Sequence, residues 1–287
     1  MGAVVGATAR LLPDGERLHL QHGPIDLIIG AEGAREAAFE AARARFETIL
    51  DELVAELALL RRAVGDWPAG VVARRMVSAV RPYGAQFVTP MAAVAGAVAE
   101  EVLAAMVAAG PLSRAYVNNG GDIAFHLSQG ERFRMAVAGL DGAALGRIDV
   151  GFADAARGVA TSGWGGRSFS LGIADAVTVL AASAAEADVA ATMICNAVDL
   201  PGCAAVERAR ADSLQPDSDL GARLVTVSVG ALRETEVALA LGRGVAVAEG
   251  ICGRGLAVSV ALFLKGQARM VGLPALTLIP DGSLCDA

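Results

Sequence analysis

The sequence contains no Cys pair at CxxC spacing, and Cys195, Cys203, Cys252 and Cys285 make no cluster with histidine at zinc-ligand spacing. Four cysteines in 287 residues are too sparse for a disulfide framework, so a reducing cytoplasm is the expected home. A basic excess is also missing. Lys and Arg number 24 against 31 Asp and Glu, a net charge of −7, which argues against nonspecific nucleic-acid binding because that relies on a basic field. No long apolar run is free of charge: the longest, "MAAVAGAVAEEVLAAMVAAG" (91–110), carries Glu100 and Glu101 at its middle. Each would cost about 2.5–3.5 kcal/mol at a bilayer centre, so the segment reads as a buried helix and no membrane partner is expected. The N-terminal stretch has one Arg before Pro13 and no basic region leading into an apolar core, so no signal peptide is expected. GxxxxGK[ST], GxSxG and a strand-to-helix GxGxxG do not occur, which removes support for a P-loop, an α/β-hydrolase nucleophile and a Rossmann fingerprint. The three histidines, His19, His22 and His126, lie in or beside strand-like segments and read as structural.

What the chain has is an alternation of strand-like and helix-like segments. Residues 16–33 read as two strands joined at His22-Gly23-Pro24. From Ala34 to Ala63, Phe39, Phe46, Ile49, Leu50, Leu53 and Leu57 recur at helical spacing and predict a long amphipathic helix ended by Gly65-Asp66-Trp67-Pro68. Residues 70–90 give no clear signal, but Thr89-Pro90 predicts an N-cap and first helical position for the Ala-rich helix over 91–109. Strands are expected at "AYVNN", "DIAFHL", 132–140, "GRIDVGF", "GVATS" and "AVTVLA". Ser183 and Glu186 stand in capping-box spacing at the head of a helix over 183–198. A polar loop over 201–222 then leads to a strand (223–230), a helix near 233–250 and a strand (255–264). The expected class is α+β, with mainly antiparallel sheets and long packing helices, in one domain over 1–287.

Three stretches are candidates for chemistry. In "VNNGGDIAF" (117–125), Asn119, Gly120, Gly121 and Asp122 read either as a hairpin turn or as bare backbone for an anion with a carboxylate beside it. In "ATSGWGGRS" (160–168), the hydroxyls of Thr161 and Ser162, the amides about Gly163 and the guanidinium of Arg167 suit phosphate oxygens, though a glycine-rich surface loop has the same composition. In "AEADVAATMI", Asp188 and Thr192 are four apart, so their oxygens share a helix face suited to a hard cation; dipole compensation and packing are the alternative.

The order "NNGGDI", "VATSG…R" and "VTVLAASAAEADVAAT" is similar to the ApbE-like family of FAD:protein FMN transferases, most closely over residues 115–195. The resemblance implies an ApbE-like fold, FAD or FMN as substrate or ligand, and Mg2+ held by Asp188 and Thr192 with a backbone carbonyl near Ala93–Ala95. It also implies a nucleotide pocket lined by Asn119, Gly120, Gly121, Asp122, Thr161, Ser162, Gly163 and Arg167. Where the family has His-Ile-Ile-Asp-Pro, this chain has "SFSLGIADA" (168–176), and Ala95-Gly96 stands where a Lys-Gly pair is expected. Asp175 is the nearest carboxylate that could act as a base. Three functional readings stay open: cleavage of the FAD pyrophosphate with transfer of FMN to an acceptor protein or its release, noncatalytic flavin binding, and action on another small anionic substrate. The Ala-rich helices are suited to a homodimer.

Overall fold

The computed structural model describes residues 6–63, 65–138, 144–273 and 276–278. Residues 1–5, the 139–140 end of one predicted strand and Cys285 lie outside the described residues. The chain opens with a meander of β1 (Thr8–Leu11), β2 (Arg17–His22) and β3 (Ile25–Gly33). Leu18 and Leu20 on β2 and Leu27, Ile29 and Ala31 on β3 are buried at every second position, which sets the register of this pairing. Helix α1 (Arg35–Ala55) buries Ala38, Ala42, Phe46, Ile49 and Leu53 as one stripe and breaks at Glu56 before the short α2 (Leu57–Leu60).

Helix α3 (Val71–Val80) occupies the region where the sequence gives no signal. Its N-cap is Gly70, which has no capping side chain. The Glu56 carboxylate, 14 residues away, instead ties down the chain entering the helix by accepting the N–H groups of Ala69 (2.6 Å) and Gly70 (2.9 Å). Thr89 and Pro90 do begin the next helical segment, but the first turn (Pro90–Ala93) is 3-10 and Thr89 makes no side-chain cap bond. The α-helix proper is α4 (Val94–Ala108). The paired strands β4 (Leu112–Asn119) and β5 (Asp122–Leu127) follow, then β6 (Arg132–Ala138), β7 (Ala144–Gly151), β8 (Gly158–Ser162) and β9 (Ala176–Ala181). Helix α5 (Ala184–Ala197) starts as the capping box predicts, with the Ser183 hydroxyl accepting the Glu186 N–H at 3.3 Å.

Residues 201–222 are not only loop: they contain β10 (Val206–Arg210) and α6 (Ala211–Leu214). "VERAR" has no apolar alternation to betray a strand. It is held by pairing with β11 (Leu224–Val229), around a bulge at Glu207/Arg208, and by the Arg208 guanidinium, which donates to the Asp199 carboxylate and the Leu171 carbonyl. The remaining elements are α7 (Glu234–Gly253), β12 (Ser259–Leu264), β13 (Gln267–Gly272) and β14 (Leu276–Leu278).

Two compact units divide the chain. The first runs to Glu131 and includes Ala155–Ala160 and Leu180–Val189; the second takes Arg132–Asp154, Thr161–Val179 and the chain from Ala190. In the first unit β1 to β5 pair in sequence order, all antiparallel, and Gly158 and Val159 of β8 pair antiparallel with β5. In the second, the end of β8, then β9, β12 and β13 follow one another in a sheet, β6, β7 and β14 form a three-stranded antiparallel sheet, and β10 pairs antiparallel with β11. The α+β expectation, with mainly antiparallel strands, holds.

By length and composition Pro90–Ala108 could cross a membrane, yet in the structure it packs against α1, α3, β4 and β5. Its two glutamates are satisfied there. Arg45 grips Glu52 with both terminal nitrogens (2.8 Å each) and Glu101 with Nε (2.8 Å), while Arg75 reaches Glu100 (3.2 Å) and Glu101 (3.1 Å). The Glu101 side chain is only 12% exposed, so removing Arg45 leaves a poorly hydrated charge with Arg75 as its one ion-pair partner among the described residues. Arg45→Ala should therefore lower unfolding free energy by about 2–3 kcal/mol, and Arg45→Lys should recover little because it lacks the fork. Urea denaturation measures this; a loss within about 0.5 kcal/mol, the range of an ordinary surface change, would refute it.

Candidate functional site

In the first unit the "NNGGD" turn connects Asn119 and Asp122, which are paired across β4 and β5. Its two central residues are Gly120 (φ +66°) and Gly121 (φ +112°), so the reversal needs positive φ at both positions, as a tight hairpin does. The centre is thus Gly-Gly rather than Asn-Gly, with the Asn118 Oδ1 accepting the Gly121 N–H at 2.8 Å. A Cβ added at Gly121 would meet nothing within 4 Å, so that side of the turn is open.

Two further segments converge on this turn. The buried Asn119 donates its Nδ2 to the Ala95 carbonyl (3.1 Å), at the first turn of α4. The Gly96 N–H of the same turn donates to Asp188 Oδ2 at 3.1 Å across 92 residues of sequence. Asp188 is enclosed by protein but keeps part of its surface accessible. Burial pushes its carboxyl well above the usual carboxylate range, the Asp122 charge pushes the same way, and the amides of Gly96 and Ala95 oppose both. Asn119, Asp122 and Asp188, proposed from separate motifs, are thereby brought together with the Ala95 peptide. Thr192, one turn further along α5 and half-buried, falls in the second unit.

Among the described residues no group of three or more His, Cys, Asp and Glu is placed to hold a metal. The donors that do gather, two carboxylates and the Ala95 carbonyl, are hard oxygens. A divalent cation suits them because it would turn the unfavourable Asp122–Asp188 pairing into a favourable one.

In the second unit, Thr161 and Thr178 share a hydrogen bond between hydroxyls at 2.9 Å, Ser162 is half-buried and Arg167 is exposed. The glycine-rich loop is folded tightly: Trp164 N–H donates to the Ala174 carbonyl (3.0 Å) and Gly166 N–H to the Gly163 carbonyl (3.1 Å). Asp175 is engaged through both oxygens. Its Oδ1 accepts the Trp164 indole N–H (3.1 Å) and its Oδ2 accepts the Lys265 backbone N–H (2.5 Å). Ser170 is occupied too, accepting the Gly172 N–H at 3.1 Å and lying 3.3 Å from the Cys195 sulfur. Burial pushes the Cys195 thiol up, so it is not poised as a thiolate.

A cleft of about 470 Å3 in the first unit is lined by Arg74, Arg75, Ser78, Glu100, Ser183 and Glu186, among others. Its charged side chains balance in sign, and Glu100 already accepts the Ala185 N–H at 2.7 Å, so it presents no basic field for a phosphate.

Comparison with known proteins decides the family. The family described as "AbpE bacteria" matches residues 9–270. This chain belongs to that family. Membership bears out the ApbE-like resemblance carried by the GGD turn, the TSG loop and the Asp-Thr helix. The chain is 45% identical over 130 residues to a UPF0280 protein of Methanopyrus kandleri, covering 44% of this chain and 48% of that one. To a UPF0280 protein of Methanococcoides burtonii it is 39% identical over 134 residues, covering 45% and 53% respectively. The chain thus spans about half the length of the curated relatives it matches. Among solved structures it is similar to the apo form of the Pseudomonas stutzeri flavinyl transferase ApbE, at a TM-score of 0.46 and 12% identity over 95% of this chain and 96% of that one. It is also similar to the flavin transferase ApbE from Vibrio cholerae, with a TM-score of 0.37 and 14% identity over 94% and 97%.

Sequence reasoning passed over Trp164 and Lys265, and reached the backbone carbonyl near Ala93–Ala95 only through the family resemblance. Trp164 stands inside a motif already singled out, and an indole N–H among glycines was the available signal. The other two act through backbone N–H and C=O groups, which every residue type has.

Proposed function

We propose that this ApbE-like protein binds a flavin nucleotide, FAD or FMN, together with Mg2+. The observation that carries the reading is the enclosed Asp188 carboxylate, held by amides at the start of α4 and facing the charge of Asp122. Asp188 and the Ala95 carbonyl are the candidate metal ligands of the first unit, and Thr192, in the second, is a candidate on the family resemblance. In the first unit Asn119, Gly120, Gly121 and Asp122 are the candidates to line a nucleotide; in the second, Thr161, Ser162, Gly163 and Arg167 are the candidates for phosphate oxygens. Mg2+, when bound, would neutralise and polarise a pyrophosphate. The chain's own residues then bind and orient; in 168–176 the Asp175 oxygens already accept the Trp164 and Lys265 N–H groups, so taking the proton of an acceptor hydroxyl would weaken both bonds. That favours binding, or hydrolysis of FAD by water to FMN and AMP, over flavinylation of an acceptor protein.

Thermal melts with FAD, Mg2+, and both separate these readings. A rise in Tm of several degrees with both ligands, larger than with either alone, is expected. No shift at saturating ligand overturns the flavin reading. Chromatography of an overnight FAD–Mg2+ incubation then distinguishes a binder, which returns FAD, from a hydrolase, which yields FMN and AMP in equal amounts.

A further inference from the structure

We infer that Asp175 is a positioning residue, whose carboxylate clamps the Trp164 indole and the Lys265 amide and so holds the Gly163–Arg167 loop in one shape for a ligand's phosphate groups. The nature of the ligand rests on the flavin-nucleotide reading; the clamp does not.

"GWGGR" has three glycines in five residues, and such a loop loses much backbone freedom on taking a single conformation. Something must offset that loss. Asp175 touches the loop and its support at four points. Its side chain accepts the indole N–H (3.1 Å) and the Lys265 N–H (2.5 Å). Its own N–H donates to the Phe263 carbonyl at 2.9 Å, anchoring it to the end of β12. Its carbonyl oxygen lies where only a glycine fits at 163, since an added Cβ would come within 2.3 Å of it.

Lys265 is itself held unusually. It is the one non-glycine residue with positive φ (+46°) among those described, in the turn between β12 and β13, and its ammonium donates to the Val229 carbonyl at 2.7 Å. That conformation aims its N–H at Asp175. The indole N–H is a donor only, so its bond fixes the Trp164 ring beside the glycines rather than merely occupying a lone pair. A carboxylate holding two donors in this way preorganises a loop; taking up a proton as a base would weaken its hold on both.

The test uses a Trp67→Phe background, in which Trp164 is the lone tryptophan of the original two. Without ligand, Asp175→Ala should raise hydrogen exchange of the 163–167 amides at least tenfold and lower the anisotropy of Trp164 emission. With FAD and Mg2+, Asp175→Ala and Trp164→Phe should each weaken Kd about tenfold, the loss expected for one charge-assisted hydrogen bond. The double variant should be no weaker than the worse single one, because both remove the same clamp. Asp175→Asn, which keeps one oxygen for the indole, should fall between wild type and Ala. If Asp175→Ala leaves exchange and Kd unchanged, the clamp is refuted. So it is if Asp175→Asn binds FAD normally but loses turnover and its acid limb, the signature of a base. Should Ala fail to fold, Trp164→Phe and Asp175→Asn decide by the same readouts. If wild type binds no FAD, the flavin reading falls, and the ligand-free exchange still decides the clamp.

Discussion

Asp188→Asn should abolish the Mg2+-dependent part of FAD binding and, in the absence of metal, leave the protein as stable as wild type or more so. The two effects come from the same carboxylate. Loss of groups that merely support a metal ligand costs about 10–100-fold in affinity, so loss of a charged ligand should reach at least about a hundredfold. The stability effect has the opposite sign because Asp188 is enclosed beside another carboxylate. An Asn of the same shape keeps an oxygen for the Gly96 and Ala95 amides, and its own N–H groups can face Asp122, replacing repulsion with attraction.

The pH dependence follows from the direction of the shift. A carboxyl whose pKa is raised by folding stabilises the folded state in acid and loses that contribution as pH climbs through the folded value. The Asn variant has no such loss. Its advantage should be absent below the usual carboxylate range, grow as pH rises above it, and reach about 1 kcal/mol or more once Asp188 is ionised. Asp188→Ala lacks the acceptor and strands two backbone amides, so it should forfeit about 1–3 kcal/mol instead. Urea titrations at several pH values without metal, with Mg2+–FAD melts alongside, read both effects. An Asn variant that keeps the Mg2+-dependent shift refutes the metal role, and one less stable at every pH refutes the electrostatic account.

These residues also show where sequence reading stops. The "NNGGD" turn was legible because positive φ is a local demand that only certain residues meet, and the structure places both glycines there. The α1 stripe and the Ser183 cap were legible for the same reason, since periodicity and capping act within a few residues. Helix α3 was not, because it has no side-chain cap and the carboxylate that ties down its start, Glu56, is 14 residues away, and β10 was not, because a partner strand and Arg208 hold its polar residues. The site divides likewise. Residue types suited to oxygen chemistry could be named at Asp122 and Asp188, whereas the Ala95 peptide that joins their segments carries no side-chain signal and was reached only through the resemblance. The partners of Asp175, Trp164 and Lys265, were not legible because they lie 11 and 90 residues away.

Gly96→Ala should be strongly damaging. Within an ordinary helix the change gains up to about 1 kcal/mol from propensity. Here the added Cβ would lie 2.3 Å from the Ala184 carbonyl oxygen, 2.4 Å from its carbon and 2.7 Å from the Ala185 nitrogen. All three are backbone atoms at the start of α5, so no side chain can rotate to make room. Either α4 or the head of α5 must move, and overpacking of that kind costs about 3 kcal/mol, enough to outweigh the propensity gain. The movement would also draw the Gly96 N–H from Asp188 Oδ2, so stability and Mg2+-dependent FAD binding should fall together. Gly250→Ala on α7, where an added Cβ meets nothing within 4 Å, is the control and should be neutral or stabilising. A Gly96→Ala protein that melts with wild type and keeps the ligand shift would refute the close approach. The Ala95-Gly96 pair looked like a departure where the family pattern has Lys-Gly, but its glycine is the half that lets α4 reach α5 and set the carboxylate in place.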